Sequence, residues 1–153
     1  MTRRVPWLRV GLVAMATFLG VTTAGYLVAA ATARADAVAV RGPGLVTITV
    51  DIRYSRFRMP ALHVRPGTVV RFVVQNRDPI NHEFVIGGPR LHAAHEHGRE
   101  LIHPPVPGEV SVAPGETGET FFRFRRPGTV RYACHLPGHE AFGMTGVVSV
   151  DGP

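Results

Sequence analysis

The sequence predicts an all-β domain, a β-sandwich of seven to eight short strands, preceded by an N-terminal signal or anchor segment. Three observations lead there. From about residue 38 onward, short runs of β-branched and aromatic residues alternate with polar ones, and no long amphipathic helix competes with them. Pro-Gly pairs at 66–67, 114–115 and 127–128 punctuate those runs, Pro presetting one turn angle and Gly accepting the positive φ that follows. Residues 1–35 have a different composition and stand apart from the 36–153 domain.

The N-terminal segment opens with Arg3, Arg4 and Arg9, then runs without charge from Val10 to Ala33. It ends in Ala33-Arg34-Ala35, a small-x-small pattern of the kind signal peptidase cuts. At about 1.5 Å per residue the uncharged run is also long enough to span a bilayer, so a cleaved signal and an uncleaved anchor are both open. Either way, 36–153 is expected outside the cytoplasm, in the periplasm or elsewhere in the cell envelope.

Strands are expected at 46–52 (VTITVDI), 68–76 (TVVRFVVQN), 82–87 (HEFVIG), 109–112 (EVSV), 119–125 (ETFFRFR), 129–134 (TVRYAC) and 145–151 (TGVVSVD). The one irregular region is 88–108, too long for a hairpin loop, within which LHAAHEHGREL (91–101) is compatible with a short helix. Met59, beside Pro60, reads as a packing residue.

The formal charge of +6 is no nucleic-acid signal. Lysine is absent, four of the 17 arginines lie in the leader, and 36–153 carries a net of only +2. Its arginines are scattered and often alternate with apolar residues, as solvated strand faces require. Hydrolytic catalysis is equally unsupported: there is no nucleophile elbow and no HExxH, and the chain reads as no enzyme. With a single cysteine there is no intrachain disulfide, and no CxxCH attaches haem.

That cysteine, Cys134, ends a strand run and is followed by His139 and then Met144 in the loop before the next strand. Pro137-Gly138 tightens the loop and Gly143 permits close backbone approach beside Met144. Imidazole, thiolate and thioether converging on one point suit a copper ion that cycles between Cu(II) and Cu(I). A second imidazole is available from His82, just after a turn on another strand. The rival readings are a buried core thiol and zinc, for which a thioether is a poor ligand.

An upstream strand His followed by Cys-x4-His-x4-Met between the last two strands resembles the cupredoxins, the family of plastocyanin and azurin. The resemblance covers roughly residues 40–151. It implies a Greek-key β-sandwich with one type 1 copper ion held by His82, Cys134, His139 and, as weak axial ligand, Met144. It implies electron transport one electron at a time, with Phe84 and Phe142 excluding solvent. Two departures stand out: Glu83 replaces the Asn that commonly follows the first histidine, and the Cys-to-His spacing exceeds plastocyanin's. Glu83 is expected on the face opposite His82, behind the ligands or at the surface, and His135 is expected to point away from the metal.

The alternative is a copper-binding or resistance protein that sequesters or delivers the metal, with the loop carrying His92, His95, His97 and His103 as an extra site. The bland reading of those histidines is an exposed polar loop. If the loop is helical, His92 and His95 share a face. The expected partner is a redox or copper-handling protein, and the domain is expected to be a monomer.

Overall fold

The computed structural model describes residues 37–40, 44–97 and 104–152. The leader, the end of the 91–101 run and His103 lie outside the described residues. Ten strands form two sheets. They are β1 (Val38–Val40), β2 (Leu45–Ile52), β3 (Phe57–Arg58), β4 (Leu62–Val64), β5 (Val69–Asn76), β6 (His82–Gly87), β7 (Glu109–Val112), β8 (Thr117–Arg123), β9 (Gly128–Ala133) and β10 (Thr145–Val150). One helix, α1 (Pro89–His97), lies between β6 and β7.

All seven strands read from the sequence are present. The three that were not, β1, β3 and β4, are two or three residues long, too short for alternation to show. One sheet has the order β1-β4-β10-β9-β6-β7 and the other β3-β2-β5-β8. The chain changes sheet at six of its nine connections, and β2 runs parallel to β5 and β4 parallel to β10, in keeping with the Greek-key sandwich.

Period-two patterning builds the core. On β5, Val70, Phe72, Val74 and Asn76 point inward while Arg71, Val73 and Gln75 point outward. The outward Arg71 pairs bidentately with Glu119 of β8, as the solvated-face reading of the arginines requires. Phe72 and Phe84 meet between the sheets at 5.0 Å, and Phe57 and Tyr132 close around Phe84. Met59 packs at the edge of this core.

β6 breaks the pattern, because all six of its residues are buried. His82, Phe84 and Ile86 alternate with Glu83 and Val85, and α1 packs on the same strand. The helix can lie close because Gly87 has no side chain: a Cβ there would come within 2.6 Å of Leu91. Gly88 supplies the first carbonyl of the helix, and Pro89 stands at its first position, where a missing N–H costs nothing. Among the described residues, no helix is long and apolar enough to cross a membrane.

Candidate metal centre

The strand ends of β6 and β9 and the β9–β10 loop meet at one end of the sandwich. The loop is wound by its own backbone. His139 N–H bonds to Leu136 O, Met144 N–H to His139 O, and Cys134 N–H to Met144 O. The last bond carries the β9–β10 ladder one step past Thr145–Ala133, bringing cysteine and methionine to the same level. Gly138 (φ 83°) and Gly143 (φ 91°) take left-handed conformations that a side chain would strain.

The result brings three of the four predicted donors together. One ligand atom each from His82, Cys134 and His139 lies within 4.8 Å of the others. His139 Nδ1 is 3.3 Å from Cys134 Sγ, and the His82 and His139 rings are 4.9 Å apart. Cys134 and Met144 are fully buried, and His82 nearly so.

The tautomer of His82 is fixed from behind. Its Nε2 donates to Asp78 Oδ2 at 3.0 Å, because a carboxylate can only accept. Nδ1 therefore carries the lone pair, and it is the one buried side-chain polar atom without a hydrogen-bond partner among the described residues. An orphaned, desolvated lone pair facing a thiol and a second imidazole fits a metal ion.

Asp78 is itself held tightly. Its carboxylate accepts N–H bonds from Tyr54 (2.7 Å) and Ser55 (2.8 Å), two residues in left-handed conformation at φ 56° and 49°. Burial alone would raise its pKa, but the bonds from Ser55, Tyr54 and His82 outweigh that and leave it below the usual carboxylate value. Burial lowers the pKa of His82, against the opposing pull of Asp78. Asn76 anchors the turn, its Nδ2 reaching Ile80 O, Val112 O and Ala113 O while its Oδ1 takes Asp78 N–H. Sequence reasoning missed Asp78 and Asn76. The available signal was a turn-forming Asn-x-Asp four residues before the histidine.

Glu83 is buried, and this corrects the surface alternative for it. It braces Cys134 from both sides: its backbone N–H approaches Sγ at 3.5 Å, and its Oε1 accepts His135 N–H at 2.6 Å. Phe142 is a plain correction. It is 73% exposed and lies over Gly138, so it does not seal the site, whereas Phe84 belongs to the core.

Two of the three histidines on α1 do not belong to an exposed polar loop, whereas His97 is exposed, in line with that reading. His92 is buried, with Nδ1 at 2.8 Å from His135 Nε2 and Nε2 at 3.2 Å from Arg131 O. His95 lies between Glu109 (2.8 Å) and Glu83 (3.5 Å), and His97 Nδ1 meets Ala93 O. His92 and His95 do share a face, but they turn it to the sheet and spend their nitrogens on protein partners. A shared copper ion on that pair is therefore not what the helix builds. His135 points away from the Cys134 cluster, as expected. Burial lowers the pKa of His92, and burial followed by His92 and Arg131 pushes His135 down to about 4.

Burial also pushes the Cys134 thiol up to about 11, against opposing bonds from the Glu83 and Leu136 N–H groups. The metal-free protein therefore keeps a protonated thiol at neutral pH. At pH 8 it presents roughly 200-fold less thiolate than a free cysteine of ordinary pKa. Its reaction with a disulfide reagent, followed by absorbance, is expected to be markedly slower than that of an ordinary free cysteine. Because the metal must displace the proton, apparent metal affinity should rise about tenfold per pH unit between pH 6 and 8 through this group alone.

A two-sheet Greek-key sandwich with a buried His and Cys, a half-buried second His and a buried Met bonded through the backbone to that cluster defines a type 1 copper protein. The comparisons agree: the sequence model of the copper binding proteins of the plastocyanin/azurin family matches residues 45–151, and the chain belongs to that family. It is 39% identical over 98 residues to copper-resistant cuproprotein CopI of Rubrivivax gelatinosus, covering 62% of this chain and 59% of that one. It is 33% identical over 121 residues to auracyanin-B of Chloroflexus aurantiacus, covering 67% of this chain and 52% of that one. The crystal structure of auracyanin B superposes with a TM-score of 0.52 at 28% identity, over 74% of this chain and 93% of that chain. The chain thus spans little more than half the length of these two relatives. Its cofactor is one copper ion.

Proposed function

We propose that the domain is an exported single-electron carrier whose copper would be held by His82 Nδ1, Cys134 Sγ and His139 Nδ1, with Met144 as a further soft donor. The observation that carries this reading is the orphaned Nδ1 of His82, aimed by Asp78 at the Cys134–His139 pair. When bound, copper supplies a one-electron Cu(II)/Cu(I) couple that accepts imidazole in one state and soft sulfur in the other. The chain's own residues do the rest. Asp78, Glu83 and the wound 134–144 loop hold the ligands in advance, so little rearrangement accompanies a change of charge. Cys134, the strongest expected bond to the metal, is the natural exit for the electron. The reading as a carrier rather than an enzyme rests on this buried donor set, and export rests on the leader's sequence.

The test is spectroscopic. Cu(II) added to the metal-free domain is expected to give an intense visible thiolate-to-copper band that is absent in Cys134→Ser. The band should bleach reversibly with a one-electron reductant. A domain that binds copper without that band, or whose band does not recover on reoxidation, would sink the carrier reading.

The likeness to CopI favours a second reading, that the domain sequesters or delivers copper in copper resistance. Transfer of copper from the loaded domain to a chelating acceptor within seconds would support it. Retention over hours would support the carrier.

A further inference from the structure

Beside the copper centre, separated from it by one peptide bond, lies a second group of donors. His135 Nδ1 and the carboxylates of Glu96 and Glu140 lie within 4.8 Å of one another. They line an open cleft of about 580 Å³ together with Leu136, Pro137, Gly138 and Ala141. The group draws on three elements: α1, the strand end after β9, and the ligand loop.

The hydrogen-bond chain behind His135 sets which atom faces the cleft. Arg131 O can only accept, so His92 Nε2 donates to it. With both rings neutral, His92 Nδ1 must then accept from His135 Nε2–H. This leaves a lone pair on His135 Nδ1, and that atom is 3.0 Å from Glu140 Oε2. In that tautomer Nδ1 and Glu140 Oε2 are both acceptors, and the imidazole, whose side chain is 2% exposed, presents to the cleft an atom that a proton or a metal cation can take. The separation of the two acceptors is close to the ~3.3 Å that two ligands keep when each sits about 2 Å from a shared tetrahedral metal. Arg131 meets both carboxylates through their Oε1 atoms, Glu96 at 3.7 Å and Glu140 more closely, which orients them.

We propose that His135, Glu96 and Glu140 form a second metal site that takes a divalent cation of borderline hardness, with Zn(II) as its simplest occupant. His92 stands behind the imidazole ligand as its fixed hydrogen-bond acceptor, and water from the open cleft completes the coordination. The site is distinct from the His92–His103 loop, since only Glu96 comes from α1. Because His135 is bonded to Cys134, a dication there also raises the reduction potential of the neighbouring copper, favouring Cu(I).

The inference builds on the type 1 reading but is tested apart from it. Zn(II) is titrated calorimetrically into the copper-loaded domain and into Cys134→Ser/His139→Ala, which removes the thiolate and one imidazole of the first centre. One zinc ion per chain is expected in each, with affinity lowered at least tenfold in the Glu96→Gln/Glu140→Gln variant. That variant should keep the visible copper band unchanged, and zinc should shift the copper potential upward in the parent protein only. No zinc uptake in either protein, or uptake that survives Glu96→Gln/Glu140→Gln unchanged, overturns the proposal. Failure of the visible band to form, with zinc uptake intact in Cys134→Ser/His139→Ala, overturns the type 1 reading alone.

Discussion

Replacing Asp78 with alanine is expected to weaken copper binding by 10- to 100-fold, the usual effect of removing a partner that orients a metal-binding imidazole. It is also expected to cost about 3 kcal/mol of metal-free stability, because three donors lose their acceptor. These are His82 Nε2–H and the N–H groups of Tyr54 and Ser55. The two N–H groups come from a pair of left-handed residues, so the turn itself loses the bonds that justify its strain. Asp78→Asn keeps the volume and separates orientation from packing. If its NH2 faces His82, the imidazole must accept at Nε2 and carry its proton on Nδ1, the atom the metal needs. If it turns round, its NH2 meets the Tyr54 N–H as donor against donor, while the remaining oxygen keeps Ser55 N–H and His82 Nε2–H, and the turn that holds His82 loosens. Either way copper affinity should fall, and the lost negative charge should raise the reduction potential. Copper titration, urea unfolding and voltammetry read the three effects. Wild-type copper affinity in both variants would show that Asp78 does not aim His82.

Phe84→Ala should be the most damaging core substitution near the site, costing about 3–5 kcal/mol. Phe84 is fully buried, and its ring packs against Phe57, Phe72 and Tyr132. Only Phe57 lies on a strand too short to hold its own position, so β3 should loosen first. Since β3 adjoins the Tyr54–Ser55 turn that holds Asp78, copper affinity should drop with stability rather than independently of it. Urea denaturation of the metal-free and copper-loaded forms checks both. A loss below about 1 kcal/mol would mean the cavity collapses and the aromatic cluster is dispensable.

Much of this was legible in the chain itself. β-branched and aromatic runs between turn signals gave seven strands because each runs four residues or more, with inward residues repeating as in Val70, Phe72 and Val74 of β5. They could not give β1, β3 or β4, where two or three residues carry no period. The donor set was legible for a chemical reason: a thiolate, two imidazoles and a thioether in that order have few uses other than copper. Glu83 was placed on the correct side of β6 by its period, yet its burial was not readable, because a helix 89–97 covers a face that periodicity alone assigns to solvent.

The sequence by itself therefore determined that His82, Cys134 and His139 gather at one end of the sandwich. Local spacing within 134–144 and the period of one strand suffice for that. Only the tertiary structure decided what stands behind those side chains. Asp78 reaches His82 by a turn but depends on Tyr54 and Ser55, 24 and 23 residues away. His92 reaches His135 across 43 residues, and His95 lies between carboxylates from two strands. Hydrogen-bond direction, tautomer and burial are properties of such long-range neighbours, and no local pattern encodes them.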